Sequence, residues 1–229
     1  MGKIIDASLL NKVDISSSPM TFKQLCVLVL DGSGSMKEQN LDKVTKGEAV
    51  AQAVRGLFGE LQNSSIKSNF CTSIIYFDDE VKLKQDITEV ENLNLNQLYD
   101  PTDGMMGATY IYKGLEMAKS VVDKFYNEKK YGDIPYSAVI IVMSDGLDMK
   151  QDKTKALLNQ FKSYENKTTI ASCFFETSGA KKEDMDECKQ YMRSLVSEPK
   201  YFRTVMDAAG LRKFMIESIS QSNDMSNLK

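Results

Sequence analysis

Apolar residues along the chain fall into two kinds of pattern, and the two kinds alternate. Short, nearly continuous apolar runs, such as LCVLVL at 25–30, are typical of strands that are buried on both faces. Longer segments repeat apolar residues every three or four positions, which is typical of helices with one buried face. Strands are predicted at 22–30, 68–77, 81–85, 136–143, 168–175 and 201–203. Helices are predicted at 41–62, 108–126, 153–164, 183–195 and 206–220.

This alternation predicts an α/β fold with three layers, in which helices cover both faces of a mostly parallel, six-stranded sheet. The turn Asp78-Asp79-Glu80 leaves too little chain for a crossover, so strand 81–85 is predicted to be an antiparallel edge strand. One domain is predicted over 21–220. The segment 1–20 is predicted to be peripheral, and 221–229 is predicted to be a polar tail.

Composition narrows the choice of partner and compartment. The net charge is −3, which gives no electrostatic footprint for nucleic acid or an anionic membrane. The longest apolar runs are too short to span a bilayer, and the N-terminal residues lack the apolar core of a secretory signal. The four cysteines have no CxxC spacing and are expected to be reduced, mostly buried thiols. We therefore expect a cytoplasmic protein.

The most unusual stretch is DGSGS at 31–35, which directly follows the first buried run. A phosphate-binding loop is disfavoured, because no GxxxxGK[ST] motif is present and Lys37 stands where GxGxxG requires its third glycine. A nucleophilic serine is also disfavoured. Asp31 and Ser35 stand where the motif GxSxG around Ser33 requires its two glycines, and the chain contains no histidine to act as a base.

A metal site fits the same stretch better. Asp31, Ser33 and Ser35 alternate, so a tight turn can bring one carboxylate and two hydroxyls to one cation. Asp145 follows another buried strand, and Thr109 precedes a predicted helix, so both can reach the same edge of the sheet. These hard oxygen donors suit Mg²⁺, Mn²⁺ or Ca²⁺. The alternatives are helix capping by the serines, Asp31 or Thr109, and an ordinary Asp-Gly turn at Asp145.

Together these five residues carry a family resemblance. Asp-x-Ser-x-Ser, a distant Thr and a distant Asp resemble the metal-ion-dependent adhesion site (MIDAS) of von Willebrand factor type A domains, especially compact bacterial ones associated with tellurite resistance. The resemblance implies a Rossmann-like fold and a Mg²⁺ site. It implies that Ser33 and Ser35 are direct ligands, that Asp31 and Asp145 act mainly through water, and that Thr109 is a switchable ligand. It also implies that an Asp or Glu of a protein partner completes the metal shell.

The function predicted from these residues is therefore metal-dependent protein binding without catalysis. A Mg²⁺-dependent hydrolase of phosphoester type and a scaffold with an unused site are the alternatives. An apolar rim for the partner is predicted at Met36, Met105, Met106 and Tyr110, with packing of Met105 and Met106 into the core as the alternative. The turn Asp78-Asp79-Glu80 and the side chain of Asp148 are predicted to be solvated.

Overall fold

A computed structural model describes residues 21–39, 43–164, 167–176 and 182–222. The strands are β1 (Lys23–Asp31), β2 (Phe70–Phe77), β3 (Val81–Glu89), β4 (Tyr136–Ser144), β5 (Lys167–Phe175) and β6 (Phe202–Val205). The helices are α1 (Lys46–Asn63), α2 (Ile111–Glu128), α3 (Gln151–Phe161), α4 (Lys182–Ser194) and α5 (Ala208–Ser222). Short 3₁₀ turns, including Gly34–Lys37, connect several of these elements.

The strands form one sheet in the order β3-β2-β1-β4-β5-β6. All neighbours are parallel except β2 and β3, which are antiparallel. The predicted fold class and the antiparallel edge strand are therefore confirmed. β3 extends to Glu89, four residues beyond the predicted end, because its irregular pairing with β2 continues past Gln85 as far as Cys71.

The side chains of β1 alternate between two apolar layers. Cys26, Leu28 and Leu30 pack in one cluster with α1 and α5, whereas Leu25, Val27 and Val29 pack in the other with α2, α3 and α4. Both clusters consist of buried apolar residues, and burial of apolar surface is the main stabilising contribution to such a fold. The first buried run is thus the central strand of the sheet, with helices on both faces.

The C-terminal helix ends later than predicted. Helix α5 continues through Gln221 to Ser222, so the polar tail does not begin at 221. Ser222 is buried and accepts a hydrogen bond of 2.6 Å from the side-chain nitrogen of Gln24. The predicted peripheral segment 1–20 and the rest of the tail, 223–229, lie outside the described residues. Every helix within the described ranges is too short or too polar to cross a lipid bilayer.

Close packing of α2 on the sheet gives a test of this architecture. A β-carbon on Gly114 would lie 2.6 Å from Cγ1 of Val29 and 3.0 Å from Cδ1 of Phe77. We expect Gly114→Ala to lower the free energy of unfolding by about 1–3 kcal/mol, because α2 must shift away from the sheet. The measurement is urea unfolding followed by circular dichroism.

Gly59 in α1 is the matched control, because a β-carbon there would meet no atom within 4 Å. Gly59→Ala should raise stability by up to about 1 kcal/mol through helix propensity alone. Equal effects of the two substitutions would contradict the close contact between α2 and the sheet.

Candidate functional site

The carboxyl ends of β1 and β4 bring together residues that are more than a hundred positions apart. Leu30 pairs with Met143 in parallel register, so Asp31 lies beside Ser144 where the strands end. The Ser144 hydroxyl donates to Oδ2 of Asp31 at 2.5 Å, and the backbone N–H of Ser33 donates to Oδ1 at 2.8 Å. The carboxylate of Asp31 is thus held in one orientation.

The hydroxyls of the DGSGS stretch follow directly from this anchor. Oγ of Ser33 lies 3.3 Å from Oγ of Ser35, and the Ser35 hydroxyl donates to Oδ1 of Asp145 at 2.7 Å. The backbone of Pro101 packs closely against this stretch because Gly32 has no side chain. A β-carbon on Gly32 would lie 2.4 Å from the carbonyl oxygen of Pro101. The hydroxyl of Ser35 therefore lies against Asp145, and that of Ser33 lies beside Ser35.

Thr109 reaches the same cluster from the segment before α2. Its hydroxyl lies 3.5 Å from Oδ2 of Asp31, a long contact. Its carbonyl accepts a hydrogen bond of 3.0 Å from the N–H of Met149. A β-carbon on Gly146 would lie 3.2 Å from Oγ1 of Thr109, so glycine leaves room for this hydroxyl. Thr109 is not the N-cap of α2, since Tyr110 occupies that position.

All five predicted ligand residues therefore lie in one cluster of oxygens. Adjacent ligands of an octahedral Mg²⁺ with bonds of about 2.1 Å lie about 3.0 Å apart, so the 3.3 Å between Oγ of Ser33 and Oγ of Ser35 fits two neighbouring ligands. The donor set contains only two carboxylates. In keeping with this, the described residues contain no group of three or more Asp, Glu, His or Cys side chains arranged to hold a metal.

The charge of Asp145 affects the ionisation of Asp31. Asp31 is completely buried, and its burial, together with the nearby charge of Asp145, raises its pKa from 3.8 to about 7. The hydrogen bonds from Ser144 and Ser33 oppose this rise. A buried carboxyl group with a raised pKa next to a second carboxylate is typical of a site that gains from a nearby positive charge.

One positive charge is already present. Nζ of Lys46, the first residue of α1, contacts Oδ2 of Asp145 and lies 3.1 Å from Oε2 of Glu38. The Lys46 side chain is completely buried, as is that of Asp145, which is 1% exposed. Lys46 is not among the residues predicted from sequence, because nothing in the local pattern of a helix N-terminus indicates a partner 99 residues away.

Asp78 is a second residue whose role was missed, and the prediction that it is solvated is wrong. It is buried, and its Oδ2 accepts hydrogen bonds from the N–H groups of Met106 at 2.9 Å and Gly107 at 2.8 Å. Its Oδ1 accepts from the N–H of Glu80 at 2.6 Å. Asp78 therefore fixes the segment that carries Thr109.

Asp148 is also buried rather than solvated. Its carboxylate accepts a hydrogen bond of 2.6 Å from the hydroxyl of Tyr191 and one from the hydroxyl of Thr154, as well as longer bonds from backbone N–H groups. This carboxylate ties α2, α3 and α4 together beneath the site. Its hydrogen bonds are directed to these elements, so we assign it a structural role.

The predicted rim needs correction at two of its four positions. Met36 and Met105 are buried in the core, since the 3₁₀ turn Gly34–Lys37 and the packing of the loop beneath Gly32 direct both side chains inward. Met106 is 65% exposed and Tyr110 is half-buried, so both can border the oxygen cluster. Met149, which the rim prediction omitted, is 59% exposed and is hydrogen-bonded to the Thr109 segment.

Comparison with known proteins shows which family the sequence matches. The family model described as the von Willebrand factor type A domain matches residues 26–148, more than half of the chain. These residues include all five predicted ligands and Lys46. No curated protein sequence gives a significant match.

Solved structures with the same fold include two bacterial pilus proteins. The pilus adhesin SpaC from Lactobacillus rhamnosus GG matches with a TM-score of 0.64 and 11% identity, over 88% of this chain and 30% of the adhesin. The vWF domain of the type V pili tip protein Mfa5 from Porphyromonas gingivalis matches with a TM-score of 0.62 and 13% identity, over 90% of this chain and 96% of that one.

A third similar structure is a proximal thread matrix protein from the mussel byssus with a zinc-occupied MIDAS motif. Its TM-score is 0.51 at 12% identity, over 89% of this chain and 46% of that one. At these identities the likeness concerns the fold alone. The chain spans less than a third of the length of SpaC and less than half of that of the mussel protein.

Proposed function

The chain belongs to the von Willebrand factor type A family, and from this premise we propose that it is a protein-binding module built around a divalent cation. In this proposal the cation is held, in the manner of a MIDAS, by Asp31, Ser33, Ser35, Thr109 and Asp145. We propose Mg²⁺ as the metal because every donor is a hard oxygen, and Mn²⁺ or Ca²⁺ would suit the same donors.

The observation that carries this proposal is the meeting of hydroxyls and carboxylates from three separate segments. Ser33, Ser35 and Asp145 are joined by contacts of 3.3 Å and 2.7 Å, and the Thr109 hydroxyl lies 3.5 Å from Oδ2 of Asp31. A bound cation would supply a Lewis-acid position that an Asp or Glu side chain of a protein partner completes. Two carboxylates leave such a position open, whereas an all-protein cage contains more acids.

Residues around the cluster support recognition of a partner. Ser144 and the backbone of Ser33 orient Asp31, and Asp78 fixes the segment that carries Thr109. In this proposal Met106, Met149 and Tyr110 form an apolar border on which the partner packs. Methionine side chains are flexible and polarizable, so they suit this contact.

The remaining parts of the proposal concern catalysis and compartment. We propose no catalytic step, because the chain has no histidine and the site offers no phosphate-binding loop. Nucleic acid and membrane lipid are not the proposed partners, given the net charge of −3. We propose a cytoplasmic location, which is supported by four free cysteines, three of them buried.

Capture of partners from a native lysate tests this function. Immobilised protein is incubated with lysate in Mg²⁺ or in EDTA, and Ser33→Ala is compared with Ser65→Ala, an exposed serine outside the cluster. We expect a set of proteins to be lost both in EDTA and with Ser33→Ala, and to be retained with Ser65→Ala. Capture that is unchanged by EDTA would contradict metal-dependent binding.

A further inference from the structure

Lys46 places a positive charge at the edge of the proposed metal site. We infer that this ammonium makes cation binding conditional: it neutralises Asp145 in the metal-free protein and weakens cation binding until a partner's carboxylate is present. The inference rests on the proposed function, since it concerns the same oxygen cluster. It goes further by assigning Lys46 the role of coupling the cation to the partner.

The ammonium is held firmly in place. A capping box between Thr45 and Glu48 fixes the start of α1, and the N–H of Lys46 donates to the carbonyl of Glu38 at 3.0 Å. The next residue, Gly47, is packed so closely that a β-carbon would lie 2.4 Å from Oδ1 of Asp100. Because the backbone is pinned on both sides, the buried side chain of Lys46 has little room to leave Asp145.

The charges explain the expected coupling. Among the described residues of the cluster, Asp31 and Asp145 contribute two negative charges and Lys46 one positive charge, so a divalent cation would leave an excess of one positive charge there. Glu38 lies on the outer side of Lys46, and its side chain is 59% exposed, so water screens much of its charge. An excess charge in a buried site is costly. A carboxylate from outside removes that excess, so the carboxylate and the cation should each strengthen the binding of the other.

A second buried lysine provides a matched control. Lys23 lies at the opposite end of β1, 1% exposed, with Nζ 2.5 Å from Oε2 of Glu89 and 2.6 Å from the carbonyl oxygen of Ser68. It shares the burial and the carboxylate partner of Lys46 but lies far from the DGSGS stretch. Any general effect of removing a buried lysine should therefore appear equally in Lys23→Met.

The test is the dissociation constant for Mn²⁺, obtained from the electron paramagnetic resonance signal of the free ion. The unaltered protein, Lys46→Met and Lys23→Met are compared in chloride and in acetate at equal ionic strength. In chloride, we expect Lys46→Met to bind Mn²⁺ at least about tenfold more tightly, because the repulsion between the Lys46 ammonium and the nearby cation is removed. Acetate should tighten Mn²⁺ binding more in the unaltered protein than in Lys46→Met. Lys23→Met should match the unaltered protein.

A surface substitution keeps the test valid if Lys46→Met fails to fold. Glu38→Lys adds a second ammonium beside Lys46 and should weaken Mn²⁺ binding several-fold. Glu91→Lys makes the same charge change at a side chain that is 56% exposed, and it should leave Mn²⁺ binding unchanged.

Two outcomes separate failure of the inference from failure of the function. Equal or weaker Mn²⁺ binding by folded Lys46→Met, or no effect of Glu38→Lys, would overturn the role of Lys46 while leaving the metal site intact. Absence of Mn²⁺ binding by the unaltered protein in both buffers would overturn the proposed metal site itself.

Discussion

In EDTA, Asp31→Asn is expected to unfold at a higher urea concentration than the unaltered protein near pH 8, and the gap should close as the pH falls. The reason is the buried carboxyl group, whose pKa is raised to about 7 by desolvation and by the charge of Asp145. Burying its charged form costs free energy that asparagine does not cost. We expect a difference on the order of a few kcal/mol near pH 8.

The sign follows from proton binding. The pKa of Asp31 is about 7 in the folded protein and near its ordinary value of 3.8 in the unfolded chain. Between these two values the unfolded chain has lost the proton that the folded protein retains. The contribution of Asp31 to stability is thus fully present below about pH 4, falls as the pH rises, and is lost above about pH 7.

Asp86 gives the matched control for this experiment. It is a partly exposed aspartate whose pKa is lowered, mainly by its hydrogen bond to Lys124. Asp86→Asn should therefore be slightly less stable than the unaltered protein near pH 8, which is the opposite direction. If the free energy of unfolding changed with pH in the same way for Asp31→Asn and the unaltered protein, burial would not raise the pKa of the Asp31 carboxyl group as described above.

The second large effect is expected at Asp78. Asp78→Asn should lower the free energy of unfolding by about 3 kcal/mol or more. Asparagine has one acceptor oxygen where aspartate has two, so its NH₂ group, itself a donor, would face backbone N–H groups such as those of Met106 and Gly107. The segment carrying Thr109 should loosen as a result. We therefore also expect faster amide hydrogen exchange over residues 105–110.

Glu80→Gln is the control, because this neighbouring side chain is exposed and the change removes a similar charge. It should change the free energy of unfolding by no more than about 0.5 kcal/mol. It should also leave amide hydrogen exchange over residues 105–110 as it is in the unaltered protein. If Asp78→Asn behaved like Glu80→Gln, the two hydrogen bonds from Met106 and Gly107 to Asp78 would not hold the Thr109 segment.

The features that could be predicted from sequence are those set by local pattern. Uninterrupted apolar runs mark strands buried on both faces, and a three-residue turn is too short for a crossover, so the parallel sheet and its antiparallel edge followed directly. The five clustered residues follow from the same logic. Asp31 and Asp145 stand at the carboxyl ends of adjacent parallel strands, and Thr109 precedes a helix on the same edge.

The missed features depend on contacts between distant segments. Asp78 lies in an acidic turn typical of a solvated hairpin, and only its hydrogen bonds to backbone 28 and 29 positions away reveal its role. Lys46 resembles an ordinary first-turn lysine until Asp145 is placed beside it. Met36 follows two polar residues of the site, yet a 3₁₀ turn directs it into the core. None of these contacts produces a periodicity that a single sequence displays.

The central claim is that DGSGS, Thr109 and Asp145 form one divalent-cation site. Its most direct test is isothermal titration of Mg²⁺ and Mn²⁺, in acetate buffer, into the EDTA-treated, dialysed protein and into the double variant Ser33→Ala/Ser35→Ala, with Ser65→Ala as the control. We predict one ion bound per chain for the unaltered protein and for Ser65→Ala, and loss of that binding in the double variant. Binding that is unchanged in the double variant, or absent from the unaltered protein, would contradict the account.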